Sequence, residues 1–226
     1  MKKVFLVIIL LVFATNYFSQ EPCHGITTVV YGGQTYHTVA IENQCWLKEN
    51  LNIGEMIMGN QEQTDNGIIE KYCYDDKASN CKKYGGLYQW GEAVQYLNGA
   101  TDTTSPSPEF SGNIQGICPK GWHIPTGDEF ETLAVSIKED GNSLIQIGQN
   151  HYASNKSGFS ALLAGCRDAG QYGGLDRNSV FWSSSEFIDS HAFYMQTSGT
   201  EDAIFIMRGE TSNKNGGFSI RCIKDE

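Results

Sequence analysis

With 226 residues and 26 acidic side chains against 16 basic ones, the chain carries a formal charge of −10 at pH 7. A surface that acidic repels phosphate backbones, which excludes nucleic acid as a natural partner. The length suits a single domain able to bury a substantial core.

The chain opens like an export signal. Met1-Lys2-Lys3 is basic, Val4 to Phe13 holds no polar residue, and Ala14 to Gln20 forms a polar exit. An apolar run of that length is too short to span a bilayer. Residues 1–20 are therefore expected to be a signal peptide and residues 21–226 one exported domain, with no transmembrane segment. The expected location is secreted, periplasmic or at the cell surface. Cys23 follows closely, but Gln20-Glu21-Pro22 is not the small, aliphatic set that lipoprotein processing needs, which argues against an anchor there.

Ile26 to Tyr31 and Thr35 to Ile41 are rich in β-branched and aromatic residues, with Gly32-Gly33 between them, which predicts a β-hairpin. Cys23 and Cys45 bracket this region and could close it. Cys73 and Cys81 flank a short polar loop and are natural partners. After Gly85-Gly86, the positions of Leu87, Trp90, Val94 and Leu97 predict a first amphipathic helix. Ala100 to Gly112 reads as a surface loop. Gly116 to Thr126, stiffened by Pro119 and Pro125 and carrying Trp122, leads into a second helix over Thr126 to Lys138. Thr126 and Glu129 form its capping box, and Phe130, Leu133, Ala134 and Ile137 its apolar face.

The second half changes to short strands separated by Gly, Asn, Asp and Ser: Phe159 to Arg167, Val180 to Ser184, Ala192 to Thr197, Ala203 to Arg208 and Phe218 to Ile223. In the last, Phe218, Ile220 and Cys222 alternate with Ser219 and Arg221, which predicts a half-buried strand with Cys222 facing inward. Two main helices and an antiparallel sheet make an α+β domain. Seven cysteines in an exported chain imply disulfides with one thiol left over. Cys118 and Cys222 would close a loop of about 100 residues, stabilising by roughly 4–5 kcal/mol through chain entropy. Cys166, among Leu162, Leu163 and Ala164, is then the free thiol, buried and inert.

Trp46 to Asn52, Tyr84 to Trp90, Gly116 to Thr126, Gly158 to Leu162, Phe181 to Glu186 and Gly217 to Cys222 occur in that order. Together they resemble the Fibrobacter succinogenes major paralogous domain, a family of exported bacterial proteins, from about Val29 to Asp225. The resemblance implies a fold distantly similar to C-type lectin-like domains and to the formylglycine-generating-enzyme group. In lectin-like domains a cysteine at a helix pairs with one in the last strand, and Cys118 and Cys222 occupy comparable places. The chain departs from the family where Cys166 stands in place of a glycine or aromatic residue, which fits a substitution in the core.

Ser183-Ser184-Ser185-Glu186 with Asp189 and His191 supplies the residue types of a hydrolase triad, but no strained turn or oxyanion hole is legible, so no enzyme is expected. An oxidase like the formylglycine-generating enzymes would have to use Cys166, the one spare thiol. Glu186, Asp189, Asp202 and Asn213 could offer calcium oxygen ligands. The Glu-Pro-Asn and Trp-Asn-Asp signatures of calcium-dependent sugar binders are absent, so no cofactor is expected. Tyr172, in a glycine-rich loop, and more weakly Tyr74 and Tyr152, could stack on a pyranose without calcium. His123 reads as a hydrogen-bonded structural residue. The functional expectation is a secreted or cell-surface module binding glycan, polysaccharide or a surface protein. The alternative is a structural or protein-interaction component of the bacterial envelope without a small-molecule site.

Overall fold

The computed structural model describes residues 23–200 and 204–225. The expected signal peptide at 1–20 therefore lies outside the described residues, as does Asp202. Among the described residues no helix is long and apolar enough to cross a membrane.

Gly32 and Gly33 both take left-handed backbone, φ +54° and +74°, the pair of conformations that closes a two-residue hairpin turn. They join β1 (Thr28–Tyr31) to β2 (Gln34–Ile41), and β3 (Gln44–Leu47) pairs with β2 in turn. A short parallel pair follows, β4 (Glu55–Ile57) with β5 (Glu70–Tyr72). Helix α1 (Ala78–Tyr84) arises inside and just beyond the Cys73–Cys81 loop, where the sequence suggested no element. Helix α2 (Trp90–Ala93) is a single turn. β6 (Trp122–His123) leads to α3 (Gly127–Ser136), whose Thr126 cap and Glu129 exchange both bonds of the capping box. The second half is strand: β7 (Ala164–Asp168), β8 (Gln171–Leu175), β9 (Asn178–Ile188), β10 (His191–Ser198), β11 (Ile204–Asn213) and β12 (Ile223–Lys224).

Two five-stranded sheets result, in the orders β1-β2-β3-β12-β6 and β11-β10-β9-β7-β8. The fold is α+β, dominated by strand and stabilised by disulfides at Cys23–Cys45, Cys73–Cys81 and Cys118–Cys222, with Cys166 free and half-buried. Burial raises the Cys166 thiol pKa, reinforced by the Asp168 charge. Among the described residues α3 is the one helix longer than two turns, and the predicted first helix is a single turn, so the two-helix expectation is corrected. The antiparallel expectation is corrected where β7 meets β9 in parallel.

Strand β3 is buried on both faces, and its alternation feeds two cores. Cys45 and Leu47 enter one with Trp90, Trp122 and Trp182, while Trp46 enters the other with Phe130, Leu133, Phe159 and Phe181. Trp46 stacks on Phe130 of α3 at 5.7 Å and meets the edge of Phe159 at 5.6 Å, so the capped helix closes the second core.

The segment from Phe218 to Ile223 runs between these cores rather than along a half-exposed sheet. All six residues are buried, Ser219 and Arg221 included, which corrects the expected alternation. Only Ile223 belongs to a strand. The residues before it bond outward on both sides: Phe218 N–H to Tyr88 O (3.0 Å), Ser219 N–H to Val180 O (2.9 Å), and Leu51 N–H to Ile220 O (2.9 Å). The Arg221 guanidinium donates to Asn50 Oδ1 (2.6 and 3.0 Å), Leu47 O (3.2 Å) and Phe159 O (2.7 Å), and lies 4.4 Å from the Phe159 ring centre. Burial pulls its pKa down to about 9, which leaves it charged at neutral pH.

The first predicted helix shrinks to α2 because its apolar residues find partners another way. Leu87 exchanges backbone bonds with Tyr72, Tyr88 with Phe218, and Trp90 N–H reaches Lys214 O. Gln95, Tyr96 and Asn98 then turn left-handed and end the helix. This short turn buries Glu92, whose carboxylate accepts from Glu70 N–H (3.2 Å), Gln95 Nε2 (3.3 Å) and Tyr96 Oη (3.1 Å). Burial pushes Glu92 up to about 7 and Asp102 up to about 6. Burial alone would lower the His123 pKa, but the carboxylates of Glu129 (2.9 Å) and Asp225 (2.7 Å) at its two ring nitrogens raise it overall.

These shifts give stability a definite pH dependence. From the ordinary Glu value of 4.5 up to about 7, the folded state holds more protons at Glu92 than the unfolded chain does, so stability falls as pH rises. His123, with its raised pKa, extends the fall above 6.5. The melting temperature is expected to decline from about pH 5 through pH 8, with Glu92→Gln flattening the part below about pH 7. Thermal melts of both proteins across that range check this, and an unchanged slope in Glu92→Gln contradicts it.

Candidate functional site

Strand β9 begins inside the protein and ends outside it. Val180 to Ser184 are buried, and Trp182 Nε1–H donates to Tyr88 O at 2.9 Å. Beyond Ser185 the strand leaves the core and presents Phe187 and Ile188, 57% and 51% exposed. The loop of residues 105–114 faces it, held by Phe110 stacking on Trp90 at 5.8 Å. Between them lies a cleft of about 540 Å³, lined by Ser105, Glu109, Phe110, Thr126, Ser185 and Phe187 among others. That volume is within the usual range of small-molecule sites.

A buried cation holds Glu186, one of the residues that line this cleft. The Lys214 side chain is fully buried, its ammonium paired with the Glu186 carboxylate and donating to Asp189 O (2.9 Å). It sits 4.1 Å from the Trp90 ring centre, where the ring face adds attraction for a desolvated cation. The Ser105 hydroxyl lies 2.8 Å from Glu186 Oε1 and 2.6 Å from Asp189 Oδ1, tying the 105–114 loop to the end of β9.

The oxygen ligands considered for calcium thus come together in part. Glu186 and Asp189 converge, and Asn213 precedes Lys214, but they converge on an ammonium. Asn213 Oδ1 is taken by Asn215 N–H at 3.2 Å. The Glu186 carboxylate holds the Lys214 ammonium, the Asp189 carboxylate accepts from Ser105, and Asp202 lies outside the described residues. Among the described residues no cluster of three or more His, Cys, Asp or Glu side chains could hold a metal.

The serines of the Ser183–Ser185 run are engaged in structural bonds. Ser184 Oγ donates to Ile124 O (3.1 Å), Ser185 Oγ accepts from Gly127 N–H (3.0 Å), and Ser183 Oγ accepts from Ser185 N–H (3.0 Å). The His191 ring bonds Ser190 Oγ at 2.9 Å. The run positions the start of α3 against β9.

Tyr172 lies on β8 instead of a free loop. Its hydroxyl donates to Asp76 Oδ1 (2.7 Å), its ring lies 5.3 Å from that of Tyr74, and it is half-buried against Gly59, where a Cβ would come within 2.7 Å of the Tyr172 oxygen. Burial and the Asp76 carboxylate push its pKa up. Tyr74 and Tyr172 therefore brace one another. Tyr152 is 45% exposed and meets the edge of His151 at 5.4 Å. The cleft residues Ser105 and Phe187, and Lys214, the partner of Glu186, were not singled out from the sequence. The one available signal was Phe187-Ile188, an apolar pair between Glu186 and Asp189 just before a turn.

The Fibrobacter succinogenes major domain matches residues 39–224, the span that holds both sheets' central strands, the cleft and the buried C-terminal segment. The chain belongs to this family. No curated protein and no solved structure matches it. The Fibrobacter succinogenes major domain here contains the motifs Trp46 to Asn52 and Gly217 to Cys222, which meet through the Arg221–Asn50 bonds in the interior.

The Lys214–Glu186 pair is an internal constraint that mutation can expose. Lys214→Met leaves Glu186 without its cation and is expected to destabilise by about 3 kcal/mol. Adding Glu186→Gln is expected to restore most of that loss. Urea unfolding of the single and double variants measures both, and equal stability of Lys214→Met and wild type contradicts the assignment.

Proposed function

We propose that the protein is an exported, non-enzymatic binding module of lectin-like architecture that holds glycan or polysaccharide in the cleft between the 105–114 loop and the end of β9. The observation that carries this reading is the combination of exposed Phe187 and Ile188 with the hydroxyls and carboxylates of Ser105, Thr126, Ser185 and Glu109 around one 540 Å³ cleft. An apolar face beside fixed polar groups is what a sugar ring requires, because its C–H face stacks while its hydroxyls hydrogen-bond. Three disulfides suit an oxidising compartment outside the cytoplasm. Binding is calcium-independent on this reading, since Lys214 supplies the charge that holds the loops.

A glycan and polysaccharide array, run in calcium and again in chelator, tests the proposal. Binding is expected in both conditions. Phe187→Ala is expected to weaken it about tenfold, the equivalent of one lost stacking contact, with only a small fall in melting temperature from the lost edge contact with Phe193. Loss of binding in chelator overturns the calcium-independent reading. Silence in both conditions overturns glycan binding and favours an envelope protein that contacts other proteins.

A further inference from the structure

A second cleft, of about 350 Å³, opens where the chain leaves β3, and it is lined by Lys48, Glu49, Gln146, Asn155, Ser160 and Arg221 among others. Its two cations have one carboxylate near them, Glu49, whose charge acts on Arg221 through space. Among the described residues Lys48 makes no ion pair or side-chain hydrogen bond. The Arg221 guanidinium at the floor is surrounded by neutral oxygens and aromatic rings, with no carboxylate bonded to it. The nearby Glu49 carboxylate is turned to His37, accepting from its backbone N–H (2.7 Å) and bonding its ring Nδ1 (2.8 Å).

A buried cation whose hydrogen bonds all go to neutral acceptors is costly, and with Lys48 beside it the cleft holds two cations against the single Glu49 carboxylate, so an anion arriving from outside offsets that cost. The protein as a whole is strongly acidic, so a densely charged polyanion is repelled and an isolated carboxylate is the better match. Around the two cations stand side chains suited to hydroxyl groups. Gln146 is exposed and has no side-chain partner among the described residues, and Asn155 and Ser160 bond one another across the rim (2.9 Å in each direction).

We propose that this cleft binds the carboxylate of an acidic sugar, a uronate unit, with Lys48 contacting the carboxylate, Arg221 supplying positive potential from the floor, and Gln146 reading a ring hydroxyl. The site is separate from the Phe187 cleft and does not depend on it. The two together would let one module recognise a polysaccharide containing both neutral and acidic units.

Isothermal titration with a galacturonate trisaccharide, the matching neutral trisaccharide and acetate tests the proposal on the intact protein. The uronate is expected to bind, more weakly as ionic strength rises, and the neutral trisaccharide to bind at least tenfold more weakly. Lys48→Ala is expected to reduce uronate affinity about tenfold and Lys48→Glu to abolish it, while Phe187→Ala leaves it unchanged. Equal binding of the neutral trisaccharide, no effect of Lys48→Ala, or no uronate binding at all overturns the proposal. Acetate binding as tightly as the uronate overturns its sugar component. A Phe187→Ala effect as large as that of Lys48→Ala would assign the uronate to the first cleft and overturn the second site. Because Lys48 is half-exposed and its side chain makes no hydrogen bond or ion pair among the described residues, while its backbone N–H bond to His37 O (2.8 Å) survives substitution, its variants test the site without testing the fold.

Discussion

The packing of this protein depends on the burial of its own C-terminal segment. Residues 218–223 run through the interior, and chain polar groups placed there need partners in place of water. The backbone bonds to Tyr88, Val180 and Leu51 come from three distant parts of the chain. The Cys118–Cys222 disulfide and the Arg221 contacts then fix the same segment to the approach to β6 and to the exit of β3. Both hydrophobic cores include residues of this segment, so neither is complete until the last part of the chain is in place. Such long-range closure predicts cooperative stability and slow folding.

The second constraint is electrostatic. Among the described residues this acidic protein buries the Arg and Lys side chains of Arg167, Lys214 and Arg221, each handled differently. Arg167 donates to Gly59 O and Asn215 O, pairs with Glu62 at 2.9 Å, and lies 4.3 Å from the Tyr72 ring centre. Lys214 has Glu186 and the face of Trp90. Arg221 donates only to neutral acceptors and lies against aromatic rings, with the Glu49 carboxylate acting at longer range. The first two tie loops onto the sheets. The third is bonded only to neutral acceptors, with the Glu49 charge acting on it through space.

Much of this was legible in the sequence wherever the signal was local. Thr126 and Glu129 lie three residues apart and encode their cap, and Gly32-Gly33 encodes a turn that only left-handed residues make readily. The cysteine pairs were legible too, because spacing and family resemblance both pointed to them. The first helix was misread because Leu87, Trp90 and Val94 satisfy helical spacing and also satisfy an extended bridge followed by one turn. The choice between these is made by Tyr72, Phe218 and Lys214, which are remote in sequence. Phe218 to Ile223 looked half-buried because alternation assumes one wet face, and here both faces are covered. The cleft was missed for the same reason: Ser105, Glu186 and Lys214 meet only after the chain has folded.

Native-state amide hydrogen exchange tests the central role of the buried segment most directly. The amides of Phe218 and Ser219, and those of Leu51 and Trp182 that bond to the segment's carbonyls, are expected to exchange only through global unfolding, with protection equal to the full unfolding free energy. Exchange of these amides through local opening, while the β9–β10 ladder stays protected, would show the segment to be a late addition to a fold that stands without it.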